Sequence, residues 1–407
     1  EDTQRAARLL QNALRYNLGW AECTYESSSS GDRYIIVGMK EHGIRPPASA
    51  AFGITTGLMT GIYDEKVTGV PVAEARRRAL KLIKGVAATH RVNGDPKAGW
   101  GDHWQSALWA ALAGEAGWML WDDLDAETRR WLPAVVEYEA DRFIRPDYVM
   151  PYWNGQGGDT KAEENAWNAT VLQLAVAMMP KHPHVPQWKQ IGSELMVSAF
   201  AKEADMESNE TVLDGKPVKA WLEGYNIRDD GALVNHNLIH CDYMTTFSLN
   251  LRAFATLSLA GQPVPEAADF NAKVLYTCLV RQEWSSPPYD PPGGTMYIPG
   301  KAEVYYPQGT DWSRFRFPVF YKADTYADFL GWDKGWPHRA AEWMRIRAER
   351  LLDMQARHED RRVFADGEFD KYAGREQMAC WIFADAFLLR WLADHKAVTQ
   401  QANWNLP

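Results

Sequence analysis

Cysteine is scarce and scattered. Cys23, Cys241, Cys278 and Cys380 are the full complement, and no two of them stand as a CxxC pair. That spacing argues against a thiolate zinc site. Nothing in it supports a disulfide framework, which a chain of 407 residues does not need to hold a core. No apolar run approaches the roughly 20 residues that a membrane-spanning helix needs. Low-complexity sequence is confined to Ser27-Ser28-Ser29-Ser30, and alternating strand patterns are rare. One candidate hairpin remains, with Asp214-Gly215 between Thr211-Val212-Leu213 and Pro217-Val218-Lys219. Positive charge is also in deficit, with 44 Lys and Arg against 53 Asp and Glu and a formal net charge of -9. The balance argues against a nucleic-acid partner, although a few Arg, Lys and His can still make one basic cleft for an anionic carbohydrate. The chain opens at Glu1 with neither Met nor a signal-like segment, so a secreted or periplasmic protein with its export signal removed is expected, unless the sequence is trimmed.

What is plentiful is aromatic: 19 Trp, 17 Tyr and 14 Phe. Flat side chains serve a helical core first, and the surplus in loops suits stacking on the apolar faces of sugar rings. Helical periodicity dominates the chain, with helices expected near 3–19, 47–63, 70–91, 103–120, 125–143, 162–179, 187–204, 238–260, 265–281, 335–357 and 375–395. Paired helices in series, without the fixed repeat of a solenoid, point to one all-α domain over 1–407. The expected form is an incomplete or complete α/α toroid with long aromatic-rich loops and little β. Three stretches read as non-helical. The first, about 144–161, carries Tyr148, Tyr152, Trp153 and Asn154; the second is about 205–235. The third, about 283–334, carries Trp284, Tyr289, Tyr305, Tyr306, Trp312, Arg314 and Arg316, and is too long to be an idle loop.

Polar side chains collect at a few places. Asn165 and Asn168 share a face of a helix with Trp167, behind the capping candidates Asp159 and Thr160 and the first-turn acids Glu163 and Glu164. Asn235, His236, His240 and Tyr243 lie on adjoining turns if a helix starts near Asn235. A HxxxH pair could ligate a metal with Asp242, but no HExxH glutamate and no obvious third ligand accompany it, so neither a metal nor another cofactor is expected. Arg314 and Arg316 suit bidentate pairing with a carboxylate, or a salt bridge to Asp311. Tyr305 and Tyr306 just before them are candidate acids or bases. Trp104 and Gln105, with Trp100 and His103, begin another helix as sugar contacts or as a core layer.

Asp230-Gly231 followed by Asn235-His236 resembles the Asp-Gly and Gln/Asn-His segment of the hyaluronate and chondroitin lyases. The segment Glu164-Asn165-Ala166-Trp167-Asn168 resembles their asparagine-bearing helix. The chain is identified as similar to the α/α-toroid polysaccharide lyases. It is most similar to the compact alginate and glucuronan lyases of the polysaccharide lyase family 38 type. The motif likeness covers about 160–245, and beyond that it is architectural. The family's tyrosine falls about nine residues after its histidine, whereas Tyr243 follows His236 by seven, which leaves Tyr243 and Tyr306 as rival phenols. The resemblance implies β-elimination on an acidic polysaccharide or oligosaccharide. Asn168, His236, Tyr243, Tyr306 and Arg314 would be catalytic. Trp104, Gln105, Trp153, Asn165, Trp167, Asn235, His240, Tyr305, Trp312 and Arg316 would bind substrate. Two other classes compete: a hydrolase built on paired acids drawn from Asp102, Asp159, Glu163, Glu223, Asp229, Asp230 and Glu303, and a glycan-binding protein that consumes nothing.

Overall fold

The computed structural model describes residues 1–148, 153, 157–285 and 287–395. Fourteen α-helices are present among them: α1 (Asp2–Tyr25), α2 (Glu41–Met59), α3 (Glu65–Thr68), α4 (Val72–Thr89), α5 (Ser106–Met119), α6 (Ala126–Asp141), α7 (Ala162–Met178), α8 (Val185–Ala199), α9 (Cys241–Met244), α10 (Phe247–Leu259), α11 (Ala272–Arg281), α12 (Phe317–Leu330), α13 (Ala340–Ala356) and α14 (Arg375–His395). Strand among the described residues is limited to three pairs of two-residue strands: β1 (Val212–Leu213) with β2 (Lys216–Pro217), β3 (Val234–Asn235) with β4 (Leu238–Ile239), and β5 (Glu283–Trp284) with β6 (Gly294–Thr295).

The sequence sorts the helices into two layers. Every residue of α5 is buried, and nearly every residue of α7, as expected for helices apolar on all sides. The middles of α2, α10, α12 and α14 are buried in the same way. The helices α1, α4, α6, α8 and α13 bury one face instead. In α13 that face is Ala340, Trp343, Met344, Arg347, Ala348, Leu351 and Met354, the three-and-four spacing of an amphipathic helix. Each fully buried Leu or Phe of these faces contributes about 1.5–3 kcal/mol. The inner helices touch in sequence: α2 on α5, α5 on α7, α7 on α10, α10 on α12, α12 on α14, and α14 back on α2. The first and last long helices, α1 and α14, also pack together. At the α2–α14 crossing a Cβ on Gly53 would stand 2.3 Å from Cys380 Sγ, so only glycine lets these backbones approach so closely.

One ion network crosses this core. Arg252 on α10 donates to Glu115 on α5 at 2.9 Å and to Asp385 on α14 at 3.0 Å, while Lys322 on α12 reaches Asp385 at 3.3 Å. All four side chains are buried. No helix among the described residues is long and apolar enough to cross a membrane.

The structure departs from the sequence reading in three places. The stretch taken as a loop from 283 to 334 contains α12, which begins with Pro318 in its first turn, where a missing N–H costs nothing. The helix expected over 238–260 is broken into β4, the short α9 and then α10. Helix α2 begins at Glu41, ahead of Pro46-Pro47, rather than at 47. The hairpin at Asp214-Gly215 forms as read, with Val212 opposite Pro217 and Leu213 opposite Lys216.

Candidate active site

A cavity of about 420 Å³ gathers the N-terminal ends of the six inner helices. Arg45 comes from the second turn of α2, Gln105 and Leu108 from the start of α5, and Glu163 and Trp167 from the start of α7. Ser248, Lys322 and Met378 represent α10, α12 and α14. Helix N-termini carry unpaired N–H groups and positive partial charge, so this end of the molecule favours an anion.

The β3–β4 hairpin places His236 at the cavity. Its register pairs Val234 with Ile239 and Asn235 with Leu238, which leaves His236 and Asn237 as a two-residue turn. Both turn residues have positive φ, 51° and 62°, as a type I′ turn requires. A side chain with a Cβ pays about 1 kcal/mol for that conformation. The turn is held on one edge by Gly158, whose carbonyl accepts from Asn237 N at 2.7 Å, and by Thr160, whose N–H and hydroxyl both donate to the Val234 carbonyl. A Cβ on Gly158 would run into the tip of the Asn237 side chain, so the two segments pack closely here. On the other side Ile239 N donates to Gln308 Oε1 at 2.7 Å, which docks the loop carrying Asp311.

That docking builds a chain of polar contacts. Asp311 Oδ2 lies 2.8 Å from His236 Nδ1, Asp311 Oδ1 lies 3.0 Å from His240 Nε2, and Tyr243 Oη lies 3.3 Å from His236 Nε2. Burial opposes ionisation of Asp311, but hydrogen bonds from His240 and His236 outweigh it and hold the carboxyl below its ordinary range. An ionised carboxylate only accepts, so the protons sit on His236 Nδ1 and His240 Nε2. His236 Nε2 is thereby left as an acceptor facing the Tyr243 hydroxyl. The phenol is pushed well above its ordinary value, by burial first and then by Glu163, with Arg316 opposing. His240 is pushed down to about 4 by burial and stays neutral. Two acids on the cavity wall move the other way: burial raises Glu163 to about 8 and Asp242 to about 6.

Of the residues singled out in the sequence, Trp104, Gln105, Asp159, Glu163, Glu164, Trp167, His236, Asp242, Tyr243, Trp312 and Arg316 line the cavity. Trp104 and Trp167 meet edge to face at 4.9 Å, and Trp312 stacks on His236 at 6.0 Å. Gln105 accepts from Arg45 at 2.8 Å. Arg316 lies over the Trp312 ring at 4.3 Å with Asp370 at 3.6 Å. His240 is buried just behind His236, and Asn235 is buried beside Glu163.

The structure does not bring the remainder to the cavity. Asn165 is buried and donates to Ser198 Oγ at 3.2 Å, and Asn168 accepts from Arg142 at 3.5 Å, so both amides serve packing between helices. Tyr305 is buried and donates to the Asp290 carbonyl. Tyr306 is buried against Asp242, with the exposed Arg314 guanidinium 5.2 Å above its ring. Trp153 lies against Gly224. Tyr152 and Asn154 lie outside the described residues. The one-face helix expected for His236, His240 and Tyr243 is replaced by a turn, a strand and a short helix, which converge the same three rings within 5.7 Å of one another. Neither Asp159 nor Thr160 caps α7; Lys161 holds that position without a side-chain bond.

Several cavity residues escaped the sequence reading, among them Arg45, Lys322, Tyr372 and Trp381. Arg45 packs its guanidinium 3.7 Å over the Tyr372 ring. The available signal was a basic residue within a largely apolar helix, as at Arg45 in α2 and Lys322 in α12. Such a charge is retained where something polar meets it. Compared with known proteins, the chain matches no family model and no curated protein.

Proposed function

We propose that the protein is a polysaccharide lyase that cleaves a uronic-acid-containing glycan, of the glucuronan or alginate type, by β-elimination. The observation that carries this reading is the chain Tyr243–His236–Asp311, opening on a cavity that also holds Arg45 and Arg316. In this reading the cycle of inner helices is a closed α/α toroid, 1–407 is one catalytic domain, and the cavity is its substrate mouth. An extracellular polymer as substrate goes with a secreted or periplasmic protein.

The chemistry follows from the proton inventory. The C5 proton of a uronate is acidic only when charge developing on the carboxylate is stabilised. Arg45, Arg316 and six helix N-termini supply that stabilisation. His236 Nε2, held in its acceptor form by Asp311, takes the C5 proton. Tyr243, kept protonated by burial, gives its proton to the departing O4. The bond from C4 to O4 breaks as the C4–C5 double bond forms. The 3.3 Å contact then returns the proton from the imidazolium to the phenolate and restores both groups. Trp104, Trp167 and Trp312 offer ring faces to neighbouring sugars.

A second reading rests on Glu163 and Asp242, two cavity acids with raised proton affinity and few partners. Paired acids hydrolyse glycosidic bonds and leave no new chromophore. Incubation with glucuronan, alginate, hyaluronate and pectate side by side separates the two. Ultraviolet-absorbing product from one polymer supports elimination. New reducing ends without absorbance transfer the assignment to hydrolysis. Binding without turnover removes both.

A further inference from the structure

His236, His240 and Asp311 form the one group of three His, Cys, Asp or Glu side chains among the described residues whose ligand atoms all lie within 4.8 Å of one another. The sequence offered a HxxxH pair without a third ligand. The fold supplies one from 71 residues away, and it is Asp311 rather than Asp242. We propose that these three residues are a site for a divalent transition cation of the zinc type, with its remaining position open to the cavity.

Three observations support the site. The donor set is two imidazoles and one carboxylate, which suits zinc and its neighbours and leaves room for a further ligand. Bonds of about 2.1 Å set ligand atoms roughly 3.4 Å apart. The present separations of 2.8 and 3.0 Å need to open by only a few tenths of an ångström. The outer shell is also in place. His240 Nδ1 and Asp242 Oδ2 are buried without a hydrogen bond, yet they face each other at 3.6 Å. A cation on His240 Nε2 moves the ring proton to Nδ1, where it meets Asp242. That arrangement of carboxylate, histidine and metal gives both orphaned atoms a use. Asp311 and Asp242 bring two negative charges, and the nearby Arg316 is paired with Asp370 at 3.6 Å.

The same tautomer change has a consequence that rests on the lyase reading. A cation on His236 Nδ1 leaves the proton on Nε2, so that nitrogen can no longer accept one. Occupancy of the site and elimination therefore exclude each other.

The test uses the intact chain with Co²⁺ and Zn²⁺ as probes. Titration with Co²⁺ is expected to give one equivalent of visible absorbance, displaced by Zn²⁺. Asp311→Asn, an exposed position that spares the fold, should weaken binding on the order of 100-fold, and Asp242→Asn about 10-fold or more. No stoichiometric uptake, or Asp311→Asn binding as the parent does, overturns the site. On whichever uronate polymer is cleaved, the rate should fall in proportion to zinc occupancy. An unchanged or higher rate at saturation overturns the exclusion. Because the cobalt readout needs no substrate, failure of the lyase reading leaves the binding result standing.

Discussion

Two hairpins in this protein share one geometry and serve opposite ends. The β1–β2 and β3–β4 hairpins each pair two residues with two across a two-residue turn. All four turn residues have positive φ: 49° and 80° at Asp214 and Gly215, 51° and 62° at His236 and Asn237. The first turn uses residues that favour it, and Asp214 is tied down by accepting from Glu266 N, Ala267 N and Ser193 Oγ. The second places an imidazole where glycine would sit more easily. A residue held against its conformational preference beside a cavity is the mark of a side chain kept for what it does.

The comparison breaks most sharply under exchange to alanine. His236→Ala should cost about 10²–10⁴-fold in elimination rate while melting at or near the parent temperature. Asp214→Ala should keep the rate and lose about 1–2 kcal/mol of stability, read by denaturant unfolding. If both variants lose rate equally, the second hairpin has no special chemistry. The next effect is at the two phenols. Tyr243→Phe should lose about 10²–10⁴-fold in rate, whereas Tyr306→Phe should stay within a few-fold of the parent, because its hydroxyl is shut away from the cavity. The reverse order would move the acid to Tyr306.

The smallest effect sharpens the contrast between the cavity wall and its surroundings. Glu163 has an ordinary value of 4.5 and is raised to about 8 by burial. The folded protein therefore binds this proton more tightly than the unfolded chain does. Stability is lost as pH rises from about 4.5 to about 8 and is level above that. Glu163→Gln removes this slope. Its apparent melting temperature should exceed the parent's by several degrees at pH 8.5 and by little at pH 4.5; an equal gap at both would mean that Glu163 is not held protonated.

The helical class was legible because inner and outer helices differ in how much of their circumference is apolar. Two of the misplaced boundaries lie beside proline: Pro318 opens α12 and Pro46-Pro47 lie inside α2. The Asp-Gly turn was legible from local chemistry, whereas His236-Asn237 was not, because its geometry is imposed by Gly158, Thr160 and Gln308 from elsewhere in the chain. His236 and Tyr243 were identifiable as unusual residue types in an unusual place. Asp311 reaches His236, and Arg45 the cavity, only through packing between segments far apart in the chain, which local periodicity does not encode.

The buried ions linking α5, α10, α12 and α14 fix how the helices come apart. Removing one partner would strand a charge in the interior at a cost of about 3–5 kcal/mol. Four helices spread from Ser106 to His395 are therefore obliged to open together. The end of the cavity that Lys322 lines is thus among the last parts of the molecule to breathe.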